Sequence, residues 1–477
     1  MGGKTPFLTG FQQVMGGKTP LSGALKALQQ VAEVDRLCAA QLQALFGGYM
    51  PVDLLGHKAR LGAGSRDRVF TPKVTFWAFL GQVLDPGSSC RKAVARVQAL
   101  FTQHQKTPPA EHTGAYCEAR LRLPVRWLMA LLAHVITRLC QGQGTSGRLL
   151  VVDGTTVALP DTPALQARYP QPKGQKPGCG QPLMKLLGLF DLRSGAWLAT
   201  THSWRKFHDC RLWRRLFHRL RTGDTVVVDR AFCSYFDLAR LMRRGVSVVV
   251  RLHQSRPCDF RTGQRLGKHD HLVVWPRPPR PAWMSAREYA TMPDHITVRQ
   301  MRHHIEQKAH RTCVVNLVTT LLEADRHPKE KVVALYARRW QVELFFDDVK
   351  TTMRMEMMRT KSTAMICREL LLHMIAYNLL RALIARSGAD PRRASFKGVV
   401  DRLQTWQWVI WLAPTRREAR ARSQELLASV AADLVPERPG RREPRAVKRR
   451  PKNYPLLNQP RRQYHEILHR SSYRKAA

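Results

Sequence analysis

Two short apolar runs constrain this chain more than any other feature. Leu149-Leu150-Val151-Val152 runs into Asp153, and Val226-Val227-Val228 runs into Asp229. Both are apolar, contain β-branched valines and are too short for a helix, so each predicts a core strand. A bare carboxylate at such a place is costly without a cation to meet it. An aspartate also closes strands by forming turns, so either residue alone is ambiguous. Two such strands in one segment point toward a site.

The surroundings predict an α/β segment with a mixed sheet. GRLLVVDGTTVAL reads as a strand, MKLLGLFDLRSGAWLATTHSW as a hairpin turning at Arg193-Ser194-Gly195, and KFHDCRLWRRLFHRLRTGD as a helix stopped by Gly223. The strand TVVVDRAF, the helix SYFDLARLMRRG and the strand VSVVVRLH complete the alternation. Residues 255–311 differ: WPRPPRPAW is Pro-rich, and HLVVW and ITVRQ are short β-like pieces, so an inserted, β-rich subdomain is expected. TCVVNLVTT returns to core-strand composition. Two long helices are expected after it, PKEKVVALYARRWQVELFFDDVKTTMRME and ICRELLLHMIAYNLLRALIARSG. Upstream, ALKALQQVAEVDRLCAAQLQALF and PVRWLMALLAHVITRLC carry helical periodicity. The expected division is 1–146 helical, 147–254 first part of the core, 255–311 insertion, 312–385 second part of the core, and 386–477 a basic helical or irregular region.

Charge narrows the partner. The chain has 79 Lys+Arg against 35 Asp+Glu, a formal net charge of +44. Such a field draws polyanions, and nucleic acid is the expected partner. A membrane is not: the longest apolar stretch, Trp127 to Cys140, is broken by His134 and Arg138, short of the roughly 18 apolar residues a span needs. No signal peptide is read at the N-terminus. The ten cysteines form no C-x-x-C pair, which argues against a zinc ribbon and fits reduced thiols in the cytoplasm. Arg205, Lys206, Arg211, Arg214, Arg215, Arg219 and Arg221 crowd one stretch, interleaved with Trp204, Trp213 and Phe217. They suit phosphate contacts or an ordinary solvated face. From Pro436 to the end stand 13 Lys/Arg against three Glu, which suits a further DNA contact or dimer element, or equally a solvated disordered tail.

Metal-assisted phosphoryl transfer commonly uses two ions, one for the attacking and one for the leaving oxygen, held by converging carboxylates. A third carboxylate is available on the first long helix. Tyr336, Arg339, Glu343 and Lys350 lie at offsets 0, 3, 7 and 14. At about 100° per residue they fall in a sector about 60° wide, beside an apolar stripe of Leu335, Val342, Phe346 and Val349. Asp347, one turn on, points nearly the same way and is the alternative ligand; Asp348 points elsewhere.

With these residues in place, the sequence resembles the DDE transposases of bacterial insertion sequences, the branch with the signature Y-x2-R-x3-E-x6-K. Tyr336, Arg339, Glu343 and Lys350 keep all three spacings. DGTTVALPDT around Asp153, KPGCGQP at 176–182, DRAF at 229–232 and LLHMIAYNLLR at 371–381 also look like the family. The resemblance covers about residues 147–385. It implies an RNase H-like catalytic core with a β-rich insertion. It also implies that Asp153, Asp229 and Glu343 bind two Mg²⁺ (or Mn²⁺). Tyr336, Arg339, Lys350 and Arg230 would contact DNA, and Trp275 or Trp283 is a candidate to stack a flipped base. The implied activity is cleavage at terminal inverted repeats and strand transfer into target DNA. A homodimer in the paired-end complex and a place in the bacterial cytoplasm, on the nucleoid, follow from the same likeness. The rival readings are a catalytically silent DNA-binding protein, a stand-alone RNase H-like nuclease, and a tyrosine recombinase suggested by His253-Gln254-Ser255-Arg256.

Overall fold

A computed structural model describes residues 20–51, 69–141, 147–172, 176, 178–204, 207–304 and 314–436. The basic tail after 436, Arg205 and Lys206, Pro177 of the KPGCGQP motif, and the last residues of the expected insertion lie outside the described residues. The chain divides into two compact units, Met1–Leu131 with Gln404–Glu425, and Leu132–Leu403 with Leu426–Ala477.

The described part of the first unit is helical: α1 (Pro20–Phe46), α2 (Pro72–Leu84), α3 (Cys90–Gln103), α4 (Gly114–Arg122) and the start of α5 (Val125–Leu139). Local chemistry sets the starts. Thr71 caps α2 by accepting from the Val74 amide, with Pro72 in the first turn, where its missing N–H costs nothing. Ser89 caps α3 through the Lys92 amide. Phe76, Phe79, Leu80, Val97, Phe101 and Tyr116 fill the core between them.

The second unit is built on one nine-stranded sheet. Its strands are β1 (Leu149–Ala158), β2 (Leu183–Asp191), β3 (Trp197–Trp204), β4 (Thr225–Val228), β5 (Ser247–Arg251), β6 (Gln264–Gly267), β7 (Asp270–Pro276), β8 (His295–His304) and β9 (Val314–Thr319). Their order is β3-β2-β1-β4-β5-β9-β8-β7-β6. β1, β4 and β5 are parallel neighbours and the other pairs are antiparallel. The mixed sheet expected from the alternation is present. Strands β6 to β8, from the expected insertion, continue this same sheet beyond β9.

Among the helices are α6 (Pro163–Arg168), α7 (Asp209–Arg214), α8 (Tyr235–Arg243), α9 (Ala286–Ala290), α10 (Lys329–Ala337), α11 (Gln341–Asp347), α12 (Thr363–Ser387), α13 (Phe396–Trp411) and α14 (Arg416–Ala432). Two expectations need correction. The helix expected over 206–224 is α-helical only across α7, followed by a 3-10 turn at Phe217–Arg219. Leu212, Trp213, Leu216, Phe217 and Leu220 are all buried there, and the tighter turn helps bring so many apolar side chains to one core. The long helix expected over 328–356 is four segments: α10, a 3-10 turn at Arg338–Trp340, α11 and a π turn at Asp348–Thr352.

Strand alternation sorts the sheet's two faces. Leu150, Val152, Val226, Val228, Val248 and Val250 share one core with Trp213, Phe236 and Leu238, so α7 and α8 cover that face. Val151, Val227 and Val249 therefore point to the opposite face, where α11 packs against β1 and α10 against β5.

Candidate active site

Asp153 falls in step with Val151 and so projects on the face covered by α10 and α11. Its neighbour across the β1–β2 ladder is Gly188. A Cβ at Gly188 would meet the Phe190 ring at 2.6 Å and the Phe346 ring at 3.2 Å. Only glycine lets the Phe346 turn of α11 come down this close to Asp153. Asp229 follows β4 with an extended backbone, φ −78° and ψ 166°, so alternation carries through it and it shares the face of Val227. Arg251, the last residue of β5, sits in the equivalent place two residues after Val249. Three adjacent parallel strands thus each bring a charged residue to one face.

The broken helix supplies the lid of this face. Tyr336, in the last turn of α10, is 9% exposed; Arg339, in the 3-10 turn, is 7% exposed. The row expected to share one helical sector is therefore half buried, not a solvated stripe. A 3-10 turn has about 3.0 residues per turn against 3.6, so phases computed at a constant 100° drift across it. Lys350 lies beyond that in the π turn, where the same arithmetic no longer sets its direction. Arg338 anchors the turn by donating to the Leu192 carbonyl.

Arg339 stands between two of the acids. Its Nη1 is 3.4 Å from Asp153 Oδ2 and its Nη2 is 3.7 Å from Glu343 Oε1. The same guanidinium lies over the Trp340 ring, 4.5 Å from its centroid. Burial pushes the Asp153 carboxyl above the ordinary aspartate value; the Gly154 amide and Arg339 oppose this, while Asp229 and Glu343 add to it by repulsion. Asp153, Asp229 and Glu343 thus interact electrostatically. Tyr336 is pushed up to about 12, chiefly by burial, with Asp229 adding and Arg339 and Arg251 opposing. Its hydroxyl keeps its proton at neutral pH.

The other acids of the helix have different partners. Asp347 accepts from the Thr351 hydroxyl at 2.6 Å. Asp348 is paired with Arg381 at 2.7 Å. Arg230 donates to Gln254 Oε1 at 3.3 Å. Trp275 is buried under the Arg256 guanidinium at 4.0 Å. Trp283 is covered by Arg214 at 3.4 Å and Arg240 at 5.0 Å. Both tryptophan rings already have a cation against them.

The donor set suits a hard divalent cation in chemistry: three carboxylates, with Asp153 repelled by both Asp229 and Glu343, and the Glu343 side chain 47% exposed. In spacing it is open. Among the described residues, no three His, Cys, Asp or Glu side chains stand close enough to hold one ion. Arg339 supplies the positive charge between Asp153 and Glu343 instead.

Sequence reasoning passed over Arg251 and the Asp348–Arg381 pair. The first had a visible signal, since β5 is a third short apolar run closed by a charged residue. The second had none, because its partners are 33 residues apart.

Comparison with known proteins bears on the whole segment. The family described as "Transposase DDE domain" matches residues 144–379, which contain Asp153, Asp229, Tyr336, Arg339, Glu343 and Lys350. The chain is 24% identical over 408 residues, 82% of its length and 88% of the relative's, to "Transposase InsG for insertion sequence element IS4" of Escherichia coli (strain K12). Among solved structures it is similar, at TM-score 0.39 and 14% identity, to the piggyBac transposase synaptic complex with hairpin DNA, over 85% of this chain and 86% of that one.

Proposed function

This chain belongs to the DDE transposases of insertion sequences, and from that premise we propose that Asp153, Asp229 and Glu343 are its catalytic carboxylates. The observation that carries the assignment is the meeting of their charges on one sheet face, bridged from Asp153 to Glu343 by Arg339. The order β3-β2-β1-β4-β5, with β2 antiparallel to β1, supports an RNase H-like core whose sheet is lengthened by β6 to β9. The carboxylates would hold two Mg²⁺ or Mn²⁺ ions, which when bound activate the attacking oxygen and stabilise the leaving one.

The chain's own residues do the rest. Asp153, on β1, and Asp229, just past the end of β4, would fix the cations against which the scissile phosphate lies. Glu343, on α11 and partly exposed, closes the donor set from above. Arg339 leaves the carboxylates for a phosphate oxygen, a contact its planar fork suits. Tyr336, protonated at neutral pH, serves as a hydrogen-bond donor to DNA and is poorly suited to be a nucleophile. Lys350 and Arg230 contact the DNA backbone, which positions without reading sequence. The substrate is double-stranded DNA, first the terminal inverted repeats and then the target, worked on by a homodimer that pairs two ends. The cytoplasm and nucleoid follow from that substrate; among the described residues no helix is long and apolar enough to cross a membrane.

The test uses a plasmid carrying the gene's flanking DNA, incubated with the protein and Mg²⁺ or Mn²⁺. Cuts at both ends followed by joining of the freed 3′-OH to new DNA support the proposal. Cutting without joining would leave a stand-alone nuclease, and binding without cutting a silent DNA-binding protein.

A further inference from the structure

A buried charge pair, Asp348 with Arg381, stands just after Glu343. Arg381, on α12, has a side chain only 4% exposed. Its Nη2 donates to Asp348 Oδ2 at 2.7 Å, its Nε to the Tyr377 hydroxyl at 3.0 Å, and its Nη1 to the Pro391 carbonyl at 3.3 Å. The rings of Phe345 and Phe396 each lie 5.1 Å from the guanidinium. Gly195, at φ +72°, leaves it room: a Cβ there would come within 3.1 Å of the guanidinium. The Tyr377 hydroxyl in turn donates to the Gly195 carbonyl at 2.9 Å. One cation therefore ties the β2–β3 turn, α12 and the end of α11 together.

Asp348 is also the first residue of the π turn that carries Lys350. A π turn is rare and persists where its surroundings impose it. Beyond it the chain returns to β1, with the Ala158 amide donating to Glu356 at 2.9 Å and the Met358 amide to Ala158 at 3.0 Å. The turn is thus held at its start by Arg381 and after its end by β1. A buried ion pair gives little stability over packed apolar side chains, so its use here calls for another reason.

We infer that the Asp348–Arg381 pair is a positioning device for DNA: it pins the start of the π turn and so aims Lys350 at the phosphate beside Glu343. The inference rests on Lys350 being a phosphate contact, as proposed above. Neither Asp348 nor Arg381 need touch DNA.

The experiment measures binding to a pre-cut element end across a salt series, with thermal melts as folding control. Lys350→Ala removes one phosphate contact, so the slope of log K against log salt falls by about 0.9. Burial pushes the Asp348 carboxyl up to about 7, so Asp348→Asn makes the protein more positive by at most one charge, and charge alone would tighten binding or leave it unchanged. The expected result is the opposite: weaker binding, the same loss of slope, and no further loss in the double variant Asp348→Asn/Lys350→Ala. If Asp348→Asn does not fold, Asp348→Asn/Arg381→Gln, which leaves no lone buried charge, takes its place. Wild-type slope in Lys350→Ala would sink the Lys350 contact and the inference with it. Slope lost in Lys350→Ala but kept in the Asp348 variant would overturn the inference alone, as would losses that add in the double variant.

Discussion

The Arg339 guanidinium sits 3.4 Å from Asp153 and 3.7 Å from Glu343 at once, with its side chain 9% exposed. A buried cation between two carboxylates holds the charge balance of the site that divalent metal is proposed to take over. The arrangement predicts competition between the two kinds of cation.

Arg339→Gln should therefore lower thermal stability in chelator by roughly 1–3 kcal/mol, since two repelling carboxylates lose their shared partner. Added Mg²⁺ should recover most of the loss. Melting curves with and without metal read the effect. An equal deficit in both conditions would mean that Arg339 is a packing residue.

Asp153→Asn, Asp229→Asn and Glu343→Gln should each cut strand cleavage by about a thousandfold or more, the scale of several kcal/mol of lost metal chemistry. End binding should stay near wild type, because shape is preserved. Asp347→Asn, whose carboxylate is tied to Thr351, should cost far less. A gel assay on labelled ends separates the four variants; a fully active member of the triad would leave it.

His373 offers a pH test of the fold. It is buried in α12, its pKa pushed down to about 3 by burial, with Arg359 adding. Its Nδ1 has no hydrogen-bond partner among the described residues. The unfolded chain binds a proton near pH 6.5 and the folded chain does not until about pH 3. Stability is therefore lost as pH falls through that window, at up to about 1.4 kcal/mol per unit. Denaturant titrations from pH 7 downward should show the slope in wild type and a shallower one in His373→Leu. Parallel curves would show that His373 is protonated or exposed in the folded protein.

DNA affinity should fall steeply with salt, by about 0.9 in slope for each phosphate contacted on duplex. Removing residues 437–477, rich in Lys and Arg, should flatten the slope while leaving metal-dependent cleavage intact on saturated ends. Cleavage lost on saturated ends would place the tail in the active complex.

The sequence by itself determined the strands that lead into Asp153 and Asp229, because short apolar runs with β-branched valines have few other uses. It determined the charge that seeks DNA, and the spacing from Tyr336 to Lys350 that led to the family. It also placed α12 from Ile366 onward, whose apolar residues recur at helical spacing between a few buried polar ones. Tertiary structure decided how the signature is aimed. A helical phase holds only while the hydrogen-bond pattern holds, and here it changes to 3-10 at Arg338 and to π at Asp348. Tyr336 and Arg339 end up buried while Glu343 stays partly exposed. Asp348, which periodicity sent away from the signature row, becomes the partner of Arg381. Contacts from β1, the β2–β3 turn and α12 impose those turns, and local periodicity carries no record of partners that lie far off in the chain.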